Sequence, residues 1–169
     1  MANNYLEELI AEWYQYQGYF VRRNVMVGLR PEGGYECELD IIAFDTAQKR
    51  LIQIEPSSDA VSWIKRESRY QKKFDAGNKY IPNMFKGLDL PTKIEQVALF
   101  TTRSKQNRDT IAGGKVVLIS ELLQEIFTNI PGSTERKAIP EQFPILRTLQ
   151  LVKRHQIGRD GSRLPRRAG

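Results

Sequence analysis

Apolar residues recur at helical spacing near the start of the chain and then give way to alternation. Leu6, Leu9, Ile10, Trp13 and Tyr14 share one helical face, Asn4 stands at the cap position, and Glu7 occupies the third position of a capping box. Gly18 is placed to stop this helix. Tyr19–Val27 reads as a strand, and Pro31-Glu32-Gly33-Gly34 as a turn. Two more strands follow, Tyr35–Asp45 and Arg50–Ser58, joined by a turn around Thr46–Lys49. A second helix is expected from near Asp59 to Phe74, capped by Ser58 or Asp59. Val61, Trp63, Ile64, Tyr70 and Phe74 would form its apolar face, with Lys65, Arg66, Arg69, Lys72 and Lys73 opposite. Residues 81–91 read as an irregular loop. Val97–Thr102 and Lys115–Ser120 are buried-strand candidates; Ser120 would cap a helix carrying Leu122, Leu123, Ile126 and Phe127, and a last helix covers Phe143–His155.

Three consecutive strands favour antiparallel pairing, and strands reached through a helix favour crossover connections. The expected fold class is α/β, with a mixed central β-sheet flanked by helices. The 169 residues suffice for one domain with a sizeable core. We expect it to span residues 1–152, followed by a basic, disordered tail at 153–169. Five of the six net positive charges sit in that tail, which holds six of the 26 Lys/Arg and one of the 20 Asp/Glu. The remaining body is nearly neutral, so the charge points to phosphate contacts by the tail or to plain solubility. No apolar run is long enough to span a bilayer, and no signal peptide is visible, so no membrane partner and a cytoplasmic location are expected. One cysteine, Cys37, excludes an intrachain disulfide. The single histidine, His155, lies beside the basic tail, which weakens any mechanism built on a positioned imidazole.

The acids on the two adjacent strands carry more information. Alternation places Glu38 and Asp40 on one strand face, and Gln53, Glu55 and Ser57 on one face of the next. If those faces coincide, Asp40 and Glu55 converge. A carboxylate in an apolar run costs several kcal/mol unless it is paired, roughly the penalty of an uncompensated buried charge. Hard oxygen donors of this kind suit Mg²⁺ or Mn²⁺. Edge-exposed carboxylates on amphipathic strands are the competing explanation.

An acid in the first helix, an Asp ending one strand and Glu-x-Lys on the next resemble the pattern of the PD-(D/E)xK nucleases. Leu39-Asp40-Ile41-Ile42-Ala43, followed by Leu51-Ile52-Gln53-Ile54-Glu55-Pro56-Ser57-Ser58, is similar to the core of archaeal Holliday-junction resolvases and Mrr-like enzymes. The late strand Val116–Ser120 running into a helix is similar as well, and the resemblance covers roughly Tyr5 to Phe127. It implies a restriction-endonuclease-like fold and a metal-dependent DNA endonuclease. Asp40 and Glu55 would be metal ligands, Glu38 a supplementary ligand, and Glu7 an assisting acid. Lys65, Arg66, Arg69, Lys72 and Lys73 would follow the DNA backbone. A homodimer would bring two sites to two strands.

Ser57 stands where the family has its lysine, and Pro56 is a second departure. A hydroxyl supplies no cation. Three explanations stay open: the lysine has moved to the following helix, with Lys65 nearest and Lys72 further on; the metal suffices; or the site is catalytically degenerate and the protein binds nucleic acid or scaffolds a complex. A second register, with Gln53-Ile54-Glu55 as the triplet and Glu55 in place of lysine, ranks below the first.

Overall fold

A computed structural model describes residues 4–58, 62–132 and 137–155. Ten elements follow in the order α1 (Tyr5–Tyr16), β1 (Phe20–Leu29), β2 (Tyr35–Asp45), β3 (Arg50–Ser57), α2 (Trp63–Met84), β4 (Glu95–Phe100), β5 (Thr110–Ile111), β6 (Gly114–Leu118), α3 (Ile119–Asn129) and α4 (Pro144–Arg154). The six strands form one sheet in the order β1-β2-β3-β4-β6-β5. β1, β2 and β3 pair antiparallel, β3, β4 and β6 pair parallel, and β5 returns antiparallel to β6. The expected mixed sheet flanked by helices is therefore present.

Both sheet faces are covered. Ile41 and Ala43 of β2, Ile52 and Ile54 of β3 and Leu99 of β4 pack with Leu6, Ile10 and Trp13 of α1, Ile126 of α3 and Leu146 of α4. The alternate positions turn the other way: Ile42 and Phe44 meet Ala76 and Ile81 of α2, and Ala98 and Phe100 meet its Tyr70 and Phe74. The strand period of two thus assigns Asp40 and Glu55 to the α2 side.

The elements differ from expectation at several points. α1 is capped by Asn4, whose Oδ1 accepts from Leu6 N; Glu7 Oε1 accepts from the Asn4 amide side chain, a variant of the capping box. Helix α2 starts at Trp63 behind Ser62 and continues through Met84, so residues 81–84 are helical, not loop. Gly77 and Pro82 have poor helix propensity, but Ala76, Gly77 and Ile81 are buried against the sheet, and packing outweighs it. Ile64, assigned to the apolar face, is 84% exposed, whereas Arg66 is 4% exposed. Helix α3 begins one residue before Ser120, and Glu121 Oε2 accepts from Leu118 N. Lys153 and Arg154, assigned to the tail, end α4; residues 156–169 of the tail, and Asp59 and Val61, lie outside the described residues.

Glu12 is a further departure. On α1 it is 2% exposed, and its Oε1 and Oε2 accept from Ile145 N and Leu146 N at 3.2 and 2.9 Å. It satisfies the first amides of α4, which Phe143 cannot cap. Glu12→Ala is expected to destabilise the fold by about 2 kcal/mol, the cost of leaving buried donors unsatisfied. A thermal melt checks this, with the loss centred on the α1–α4 contact.

Candidate functional site

Pairing between β2 and β3 runs from Asp45↔Arg50 to Ile41↔Ile54. Past that point β3 continues alongside β4 as far as Ser57↔Phe100, while β2 continues alongside β1. Asp40 and Glu55 are the first residues beyond the last pair, at the fork where the strands part. Pro56 follows at once, where β3 has no β2 partner to miss its absent N–H. The fork opens a cavity of about 310 Å³ lined by Asn4, Asp40, Glu55, Ser57, Arg69 and Lys73 among others.

The cation at this fork is Lys73. Its Nζ lies 2.6 Å from Asp40 Oδ1 and 2.5 Å from Glu55 Oε2. The Lys73 side chain is 20% exposed, that of Asp40 15% and that of Glu55 1%. The ammonium beside the two acids is thus carried by α2 and not by β3. Lys65 is exposed and does not line the cavity. Lys72 is exposed and lines the neighbouring cavity with Glu38, Arg69 and Lys73. Glu38 therefore stands beside the site, not within the carboxylate pair. Arg69 Nη2 donates to Ser57 Oγ at 2.9 Å, which puts a second cation beside the end of β3. Arg66 turns inward, with its guanidinium 4.7 Å from the Phe100 ring centre and 5.2 Å from that of Trp63. It belongs to the core and not to an exposed basic face.

Glu7 is held at the rim. Its Oε2 accepts from Asn24 Nδ2 at 3.2 Å, and its Oε1 from Asn4, which lines the cavity. Asn24 lies between the pairs Arg23↔Ile41 and Val25↔Leu39, at the level of Asp40, with a left-handed φ of 50°. Glu8, on the same turn, pairs with Arg23.

Two carboxylates face one ammonium, so one negative charge is left without a counter-charge if both acids are ionised. Burial pushes Glu55 up to about 8; Lys73 pulls it down and Asp40 pushes it further up. Burial opposes the charge on Lys73, yet Glu55 and Asp40 outweigh it and raise its pKa, so it stays protonated. Asp40 and Glu55 supply oxygen donors of the kind a hard divalent cation takes, at the place the Lys73 ammonium occupies. Among the described residues no group of three or more His, Cys, Asp or Glu is placed to hold a metal, so water and main-chain oxygens would complete the shell. Burial also pushes the Cys37 thiol up, away from the reactive thiolate.

No known protein-family model matches this chain, and no curated protein sequence matches it. Among the described residues no helix is long and apolar enough to cross a membrane.

Proposed function

We propose that this chain is a metal-dependent DNA endonuclease with a restriction-endonuclease-like fold, hydrolysing phosphodiester bonds at the β2–β3 fork. The observation that carries this reading is Lys73 bridging Asp40 and Glu55 in an open cavity. Two acids and a lysine are the groups the resemblance calls for, and here the lysine arrives from a helix. Asp40 and Glu55 would hold Mg²⁺ or Mn²⁺, which when bound neutralises phosphate charge and makes water more acidic. Lys73 stays protonated and presents its remaining N–H to charge that develops on the phosphate oxygens. Arg69 and Lys72, on the same stretch of α2, stand where a phosphate backbone would leave the cavity.

A specific observation favours a second reading. Lys73 satisfies both acids without a metal, and a closed ion triad of this kind suits a catalytically degenerate protein that only binds nucleic acid. Cleavage of linear, nicked and four-way-junction DNA with Mg²⁺ or Mn²⁺, beside an EDTA control, separates the two. Metal-dependent cutting lost in Asp40→Ala and Glu55→Ala supports the nuclease. Binding without cutting, unchanged in both variants, supports the second reading.

A further inference from the structure

Beneath the site, two side-chain amides, one buried and one half-buried, join three elements. Gln53 is fully buried on β3. Its Nε2 donates to Glu55 Oε1 at 2.9 Å and to the main-chain carbonyl of Lys73 at 3.0 Å. Its Oε1 accepts from Gln96 Nε2 at 3.0 Å, and that same nitrogen donates to Phe74 O at 2.8 Å. Gln53 and Gln96 are register partners on β3 and β4. Both amide orientations are dictated by their surroundings. Lys73 O and Phe74 O only accept, so both NH₂ groups must face them. Helix α2 approaches closely enough for this only because residue 77 is glycine; a Cβ there would lie 1.8 Å from Gln53 Oε1.

We propose that Gln53 is the positioning residue of this site. Its amide engages one oxygen of Glu55, which leaves the other for Lys73 and Asp40. The same nitrogen fastens α2 at the residue that carries the ammonium. One side chain therefore sets the strand-borne acid and the helix-borne cation relative to each other. A β-strand and a helix have no covalent reason to keep such a geometry, and an error of about 1 Å is enough to cost two orders of magnitude in rate. The catalytic consequence rests on the nuclease reading; the positioning does not.

The test is made on the full chain with Gln53→Met, which keeps the volume and removes the donors, and with Gln96→Met, which removes the clasp on Gln53 and the bond to Phe74 O but leaves the Gln53 donors in place. Reductive methylation of the metal-free protein, followed by mass spectrometry, reports how accessible the Lys73 ammonium is, with exposed Lys72 as internal reference. In the wild type Lys73 is expected to react at least about tenfold more slowly than Lys72, as a buried, ion-paired amine. Gln53→Met is expected to bring the two rates within about threefold, with Gln96→Met between, because a misplaced pair opens to solvent. Steady-state cleavage is expected to show kcat reduced by about tenfold or more with KM for DNA within about twofold. Ile52→Val, on the opposite face of β3, controls for lost stability and is expected to leave Lys73 protected. Lys73 protection unchanged in both glutamine variants, whatever their melting temperatures, overturns the proposal. If the wild type cuts no DNA under any condition, the nuclease reading fails, and the methylation result still decides whether Gln53 positions the pair.

Discussion

Lys73→Met is expected to lower metal-dependent cleavage by about 10²–10⁴-fold, the range associated with losing a group that stabilises transition-state charge. The substitution keeps the length and apolar stem of the side chain and removes the cation that bridges Asp40 and Glu55. Arginine is no replacement at this position. Its planar fork is larger than the ammonium, and the site is closed beneath by the buried Gln53. Lys65→Ala, on the same helix, is expected to leave the rate within about twofold, as substitutions at exposed positions away from the reacting groups usually do. Single-turnover rates under saturating Mn²⁺ check both. Loss of metal is distinguished from loss of the lysine, because Lys73→Met removes a competing positive charge and is expected to bind Mn²⁺ at least as tightly as the wild type. A fall in rate with metal affinity preserved is the signature of a missing transition-state contact.

Mn²⁺ affinity is expected to rise with pH by about tenfold per unit over the range below pH 8, and to level off above it. Burial, reinforced by Asp40 and opposed by Lys73, raises the Glu55 pKa to about 8 in the metal-free protein. A metal needs the carboxylate ionised, so below that value each bound ion must displace a proton. The same shift fixes the sign for stability. Glu55 holds its proton more tightly folded than unfolded, so its contribution is fully present below the ordinary glutamate range and is lost as pH rises toward 8. The metal-free protein is therefore expected to melt at lower temperature at pH 8 than at pH 6, and Glu55→Gln is expected to remove that difference. Calorimetric titration in two buffers of different ionisation heat counts the released proton, and thermal melts across the range read the stability.

The sheet and its two acids were legible because they obey the period of two. Tyr35–Asp45 was read with its observed bounds, and alternation grouped Asp40 with Glu38 and Glu55 with Gln53; the pairing of β2 with β3 makes these one face. Helix α2 was misread because its buried row is not apolar. Arg66, Tyr70, Lys73, Phe74, Gly77 and Ile81 follow the three- and four-residue spacing of a packed face, yet two of them are cations and one is glycine. A hydrophobic wheel gives Arg66 and Lys73 to solvent and accepts Ile64, which is 84% exposed. The rotation of the helix is set instead by Phe100 beneath Arg66, the acid pair beneath Lys73 and Gln53 beneath Gly77. None of these partners is a sequence neighbour. Of the lysines on α2, Lys65 and Lys72 were the ones weighed from the sequence; that Lys73 is the one beside the acids depends on that rotation. Glu12 was missed for a similar reason: its partners, Ile145 and Leu146, lie more than 130 residues away.

The most direct test of the site is a Mn²⁺ titration of the wild-type protein at pH 8 beside Asp40→Asn and Glu55→Gln, with bound metal read by electron paramagnetic resonance. The account predicts one Mn²⁺ per chain, released by EDTA, with affinity lowered at least about tenfold in each variant, as expected for losing one of two charged ligands. A wild type that binds no Mn²⁺, or binds it equally well after both substitutions, would contradict a metal centre at Asp40 and Glu55 and leave Lys73 as their structural partner alone.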